Sequence, residues 1–271
     1  MKVRPPAVAG MFYPDDPVRL RQMVGDLLAD AATRLPDRAG TDEKPVAFIV
    51  PHAGYIYSGS TAAMAYAQLA DLAEEIRHVV IVGPTHRIGI QGIGLPGVES
   101  MATPLGQIPV WPEGVAIARE QPSVVVSAAA HAQEHSLEVQ LPFLQVVLPD
   151  ADVLPLAAGW VEPAAVAGVL GALWDEPGTM TLISSDLSHY HPYDEARAID
   201  RATVERILRL DATIDHDLAC GATGINALLL VARERGLTPR LDHLCNSGDT
   251  AGAKDGVVGY AEVSFMERVR P

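Results

Sequence analysis

Three short apolar segments are each followed within five residues by a histidine, and these histidines are the residues best suited to chemistry. The pairs are 46–50 with His52, 78–82 with His86, and 180–184 with His189. Imidazole is the commonest metal ligand in proteins, and neutral histidine pairs suit iron, zinc or copper. We therefore interpret His52 and His86 as candidate metal ligands and His189 as a candidate proton-transfer group.

Acidic residues accompany these histidines, and each has a structural alternative. Asp186 lies three residues before His189, where it can orient a histidine or a bound water, or cap a helical turn through backbone N–H groups. His135 and Glu138 are spaced three apart, so on a helix they would share one face. A helix start is the alternative interpretation of that pair, and the spacing leaves both open.

Two cysteines offer a thiol to the same chemistry, and the local sequence does not choose between them. Cys220 precedes a helical segment, and a helix N-terminus favours the thiolate. Cys245 lies in a polar, turn-rich stretch, from which a loop thiol can reach a metal. Burial as a small apolar side chain is the alternative for either one. Two cysteines form no disulfide framework and the N-terminus lacks the apolar stretch of a signal peptide, so we expect a cytoplasmic protein.

The elements that position these residues alternate between strands and helices. Strands are predicted for five apolar segments: 46–50, 78–82, 153–156, 180–184 and 257–265. Helices are predicted for six segments: 16–32, 59–72, 136–147, 163–174, 194–210 and 223–235. Apolar strands separated by helices indicate an α/β fold. We expect one domain over residues 1–271, with a central, mostly parallel or mixed sheet flanked by helices and a site at the strand C-termini.

Composition argues against several classes of partner. The chain has 271 residues, of which 48% are apolar and 20% charged, as in an ordinary globular protein. Its formal net charge of −14 argues against nucleic acid and against an anionic membrane surface. No uncharged apolar run reaches about 18 residues, so no membrane span is expected. We expect a small-molecule substrate.

Taken together and in order, the motifs resemble the MEMO family, the Memo part of the AmmeMemoRadiSam group. The matching pieces are RPPAVAGMFYP at 4–14, PHAGYIYSG at 51–59, GPTH at 83–86, EHSLEVQLP at 134–142, SSDLSH at 184–189, CG at 220–221, CNSGD at 245–249 and VVGY at 257–260. Any single piece is weak, whereas the ordered set runs nearly from end to end and is highly specific.

The resemblance implies a fold like that of the class III extradiol dioxygenases, which hold Fe(II) with two histidines and one carboxylate. Carried over, His52 and His86 are the imidazole ligands. The third ligand implied by the family pattern is the cysteine shortly before the last strand, Cys245. Fe(II) is the expected cofactor, and a thiolate ligand also admits Cu or Zn because it is softer than a carboxylate.

The resemblance also implies the residues that surround the metal. Four of them are catalytic candidates: His189, Asp186, His135 and Glu138. Four others are substrate-binding candidates: Tyr55, Arg87, Cys220 and Asp249. Some relatives carry a second histidine where this chain has Arg87, whose guanidinium can attract a carboxylate or phosphate substrate.

The function implied is a metal-dependent, dioxygenase-like non-haem iron oxidoreductase acting on a small aromatic or related substrate. One alternative is a non-enzymatic adaptor that binds a peptide or ligand in the same pocket. Another is a zinc hydrolase that uses water in an open coordination position. Ring-opening dioxygenation does not follow from the fold alone. The family name further implies association with an AMMECR-type protein and a radical SAM enzyme.

Overall fold

A computed structural model describes residues 2–36 and 42–268 of the chain. Within them, twelve strands and eight α-helices follow one another: β1 (Val3–Arg4), α1 (Pro17–Arg34), β2 (Glu43–Val50), α2 (Tyr55–Ala70), β3 (His78–Pro84), β4 (Ile93–Leu95), β5 (Ser100–Thr103), β6 (Gly106–Pro109), α3 (Pro112–Arg119), β7 (Val124–Val126), α4 (Ala128–Ala132), α5 (Leu141–Val147), β8 (Asp152–Ala158), α6 (Pro163–Trp174), β9 (Thr179–Ser184), β10 (His189–His191), α7 (Tyr193–Leu208), α8 (Ala222–Arg235), β11 (Thr238–Asn246) and β12 (Val257–Arg268). Short 3-10 turns lie at Glu138–Gln140 and Ser247–Asp249.

Four parallel strands form the centre of the main sheet, in the order β2, β9, β3, β8. These strands contain four of the five apolar segments that the sequence predicts as strands: 46–50, 78–82, 153–156 and 180–184. Antiparallel β12 extends the sheet beside β2, and antiparallel β4 extends it beside β8. The result is a single α/β domain with a mixed sheet, so the predicted fold class is confirmed.

Both faces of the sheet are covered by helices, which explains why its central strands lack a polar face. Phe48 and Val50 of β2 pack in the core beneath α1, α2 and α5. Ala47 and Ile49 point to the opposite core, beneath α6 and α8. Successive residues of a strand face opposite sides, so burial on both sides requires a continuous apolar run. No described helix is both long and apolar enough to cross a bilayer.

Several short elements at the sheet edges are not predicted by the sequence patterns. Strands β4 to β7 span three or four residues each, too few to show a period. Strand β11 is longer, but polar and charged residues interrupt its apolar positions. It pairs with β12 along its length and therefore fixes the residues that the turn-rich pattern assigns to a loop.

A buried carboxyl on β12 makes stability depend on pH. Glu262 is fully buried, beside the carboxyl group of Asp242. Burial, and then the charge of Asp242, raise the pKa of Glu262 well above its ordinary value of 4.5. Between pH 4.5 and the raised pKa, the unfolded chain releases this proton while the folded protein keeps it. The free energy of unfolding therefore falls as pH rises through that range.

Replacing Glu262 with glutamine is expected to stabilise the protein by about 1–3 kcal/mol at pH 8, because it removes this penalty. The gain shrinks toward pH 4, where the wild-type carboxyl is protonated in both states. Urea unfolding across this pH range measures the difference, and exposed Glu74→Gln is the matched control. A gain that stays constant with pH would contradict the assignment.

Candidate functional site

Two histidines and a cysteine from three separate loops meet at the C-terminal edge of the parallel strands. His52 follows β2, His86 follows β3, and Cys220 precedes α8. One ligand atom from each lies within 4.8 Å of the others. The Cys220 Sγ is 3.2 Å from the His52 Nε2. The structure thus brings the two predicted histidines together with a thiol.

The hydrogen bonds of Ser184 fix which nitrogen of His52 faces the thiol. The Ser184 hydroxyl donates its one proton to the Ser136 carbonyl at 2.6 Å and accepts from Gln140 Nε2 at 2.9 Å. It can therefore only accept from the His52 Nδ1, which is 3.0 Å away. The Nε2 of His52 then carries a free lone pair. Burial, followed by the charges of His86 and His135, lowers the pKa of His52 well below 6.5, so the ring stays neutral.

Glu134 fixes His86 in the same way. Its carboxylate accepts from the His86 Nδ1 at 2.8 Å, the His86 backbone N–H at 2.6 Å and the Ser136 N–H at 2.9 Å. Burial opposes ionisation of Glu134, but the hydrogen bonds and charge of His86 outweigh it and lower its pKa to about 2. The carboxylate is therefore ionised, and the Nε2 of His86 is left for a ligand. Carboxylate–imidazole pairs of this kind orient metal-binding histidines.

Three further predicted residues lie close to this cluster. The His135 ring stacks on that of His86 at 4.6 Å, and burial together with the charge of His86 lowers its pKa to about 4. Asp186 accepts the His52 backbone N–H at 2.7 Å, and burial raises its pKa to about 7. His189 is half-buried at the start of β10, and burial lowers its pKa.

A pocket of about 750 Å³ opens beside the cluster, with His86 and Cys220 in its wall. It is large enough for a small organic molecule. Its lining also includes His216, Trp160 and Glu162, which the motifs did not single out. His216 lies four residues before Cys220, and its Nδ1 is 3.2 Å from the Cys220 carbonyl oxygen. The four-residue spacing from Cys220 is the one feature of the sequence that could have identified His216 as a pocket residue.

Cys245 does not join the histidines, so the family-based assignment of the third ligand is corrected. It lies in β11 opposite Tyr260 of β12, and its Sγ is 3.2 Å from the Thr61 hydroxyl. The His52–His86 group contains Cys220 and not Cys245. The expectation failed because residues 243–246 pair with β12, beyond a register shift at Asp242, rather than forming a loop that can swing toward a metal.

Glu138 is placed in the structural framework rather than in the site. Its two oxygens accept from the backbone N–H groups of Ala7 at 2.8 Å and Val8 at 3.0 Å, from the Tyr13 hydroxyl and from the Arg4 guanidinium. It is fully buried, and these bonds occupy its acceptor positions. Its task is to hold the N-terminal segment against the domain, which corrects the catalytic assignment.

Three predicted substrate-binding residues also lie outside the pocket wall. Tyr55 packs against Phe143, and its hydroxyl donates to the Val139 carbonyl at 2.7 Å, so it offers no free donor. Asp249 accepts from the Asn246 N–H at 3.0 Å and lies with Cys245 in a separate small cavity.

Arg87 is exposed, and its charge contributes to the lowered pKa of His135. The fourth candidate, Cys220, does line the pocket.

Comparisons with known proteins agree with the motif pattern. A family model described as "Memo-like protein" matches residues 4–264. A MEMO1 family protein of Sulfolobus acidocaldarius is 33% identical over 97% of this chain and 99% of its own length. One of Aquifex aeolicus is 34% identical over 98% of this chain and 100% of its own length. A crystal structure of an uncharacterized protein from Escherichia coli K12 has a TM-score of 0.52 at 15% identity, covering 80% of this chain and 98% of that one, which supports the fold.

Proposed function

This chain belongs to the Memo-like protein family, and from that membership and its site we propose that it is a metal-dependent redox enzyme. Its metal would be held by His52, His86 and Cys220. The observation that carries the proposal is the orientation of the two imidazoles. Each uses Nδ1 in a hydrogen bond within the protein, and the Nε2 of His52 faces the Cys220 thiol. We propose Fe(II) as the ion, with Cu or Zn as the other metals that this donor set accepts.

The Cys220 thiol would change its protonation state on binding a cation. Burial, and then the negative charge of Asp186, raise the pKa of Cys220 to about 12. The free thiol therefore keeps its proton at neutral pH. A cation between the two imidazoles would stabilise the thiolate and release that proton, as cysteine ligands do when they bind metal.

The remaining residues would orient the ligands and move protons. A bound ion would supply electron transfer and Lewis acidity next to the pocket. Asp186 holds the backbone of His52, and with a pKa of about 7 its carboxyl can exchange a proton near neutral pH. His189 is neutral there because burial lowers its pKa, so it can accept a proton from a substrate.

The test is metal content and oxygen consumption of the full chain produced anaerobically with iron. We expect about one iron per chain and dioxygen uptake with at least one member of a panel of catechols and indoles. His52→Ala should lose both. Absence of metal and of turnover across the panel would contradict the proposal, and zinc occupancy with ester cleavage would favour a hydrolase.

Glu134→Gln is expected to weaken metal binding by about 10- to 100-fold while leaving the fold intact. The amide cannot accept from the His86 ring and backbone as a carboxylate does, so the ring loses its fixed orientation. Competition with a chromogenic chelator measures the affinity, and exposed Glu120→Gln is the control. Equal affinities of Glu134→Gln and the wild type would show that Glu134 does not orient a ligand.

A further inference from the structure

The pocket beside the cluster has an acidic and aromatic wall. Trp160 and Glu162 lie two residues apart between β8 and α6, and both line it. Gln91 and Thr223 add uncharged polar groups. No lysine or arginine stands among the described residues of this lining. A carboxylate or phosphate would find no fixed positive side chain there, apart from a histidine or metal.

Trp160 is exposed, and hydrogen bonds hold its backbone in position. Its side chain and backbone together are 73% exposed, which is unusual for an indole. Its backbone N–H donates to the Ile90 carbonyl at 2.8 Å, and its carbonyl accepts from the Gly92 N–H at 3.1 Å. The edge of the indole lies against Gly89. A solvent-exposed aromatic face in a pocket wall, on a backbone that is held by hydrogen bonds, is a platform on which a flat ligand can stack.

Glu162 supplies the negative charge in the same pocket wall. It is the N-cap residue of α6, but its side chain makes no capping hydrogen bond. A pocket wall that offers both a carboxylate and an indole face can recognise an organic ammonium group, through charge attraction and cation–π contact.

We propose that this pocket selects an aromatic or similarly flat molecule that carries a cationic amine. The inference rests on the proposed function for its statement that the ligand is a substrate, while the selectivity itself comes from Trp160 and Glu162. It replaces the expectation of an anionic substrate, because Arg87 lies outside the lining. The ligand's ring would stack on Trp160, with its ammonium toward Glu162.

The test compares three ligands that share a ring and differ in charge: 2-phenylethylamine, 2-phenylethanol and phenylacetate. The indole N–H signal of Trp160, assigned with Trp160→Phe, reports binding to the full chain as purified and after chelation. We expect the amine to bind about threefold to fivefold more tightly than the alcohol, and the carboxylate most weakly. Glu162→Gln should remove the difference between amine and alcohol, whereas Glu176→Gln, beyond the other end of α6, should preserve it.

Equal affinities, tighter binding of phenylacetate, or no shift of the Trp160 signal with any ligand would overturn the inference. The same would follow if both glutamine variants lost the preference. Metal content of the same samples separates the two proposals. Amine selectivity in a protein that takes up no metal would support the pocket's selectivity and count against the proposed redox function.

Discussion

Replacing Cys220 with serine is expected to lower metal affinity by more than about 100-fold, whereas Cys245→Ser leaves it unchanged. The Cys220 Sγ faces the free nitrogen of His52 at 3.2 Å. The Cys245 Sγ lies instead within hydrogen-bond distance of the Thr61 hydroxyl, on the buried side of α2. The two substitutions are chemically identical, so each is the matched control for the other.

Cobalt(II) provides the direct readout for this pair. A thiolate bound to cobalt gives an intense sulfur-to-metal charge-transfer absorption band. The wild type and Cys245→Ser should show the band on titration, and Cys220→Ser should not. Loss of the band in Cys245→Ser alone would restore the family-based assignment and reject the site described above.

Replacing Glu138 with alanine is expected to destabilise the protein by about 3–5 kcal/mol, because it leaves the buried Arg4 guanidinium without its charge partner. The change also removes the acceptors of Ala7, Val8 and the Tyr13 hydroxyl. Urea unfolding gives the change in free energy. The metal affinity of the folded fraction should stay within a few-fold of the wild type.

A double variant separates the framework role of Glu138 from a catalytic one. Arg4→Met combined with Glu138→Met removes both buried charges and should recover part of the lost stability. The Tyr13→Phe variant should lose a smaller amount, since it removes one hydrogen bond. Wild-type stability of Glu138→Ala with abolished turnover would instead return Glu138 to the catalytic machinery.

The sequence predicts those features of the site that depend on residues close together in the chain. His52 and His86 follow apolar strands directly, and parallel strands place such positions at one edge. The resemblance to the MEMO family is confirmed for the same reason, since its motifs keep their order along the chain. The metal, the substrate and the protein partners remain predictions.

The sequence does not predict contacts between residues that are far apart in the chain. Cys220 and Cys245 look equivalent locally, and only the pairing of β11 with β12 separates them. Within EHSLEVQ, the resemblance points to His135 and Glu138. The structure shows that Glu134 holds His86 and Gln140 holds Ser184. Neither contact leaves a periodic or spacing signal, because each partner lies more than 40 residues away.

The most direct test of the proposed centre is anomalous diffraction at the iron edge from crystals loaded anaerobically with Fe(II). A single strong peak is expected within coordination distance of the His52 Nε2, the His86 Nε2 and the Cys220 Sγ. A peak at Cys245, or none between the two histidines at full iron loading, would contradict it.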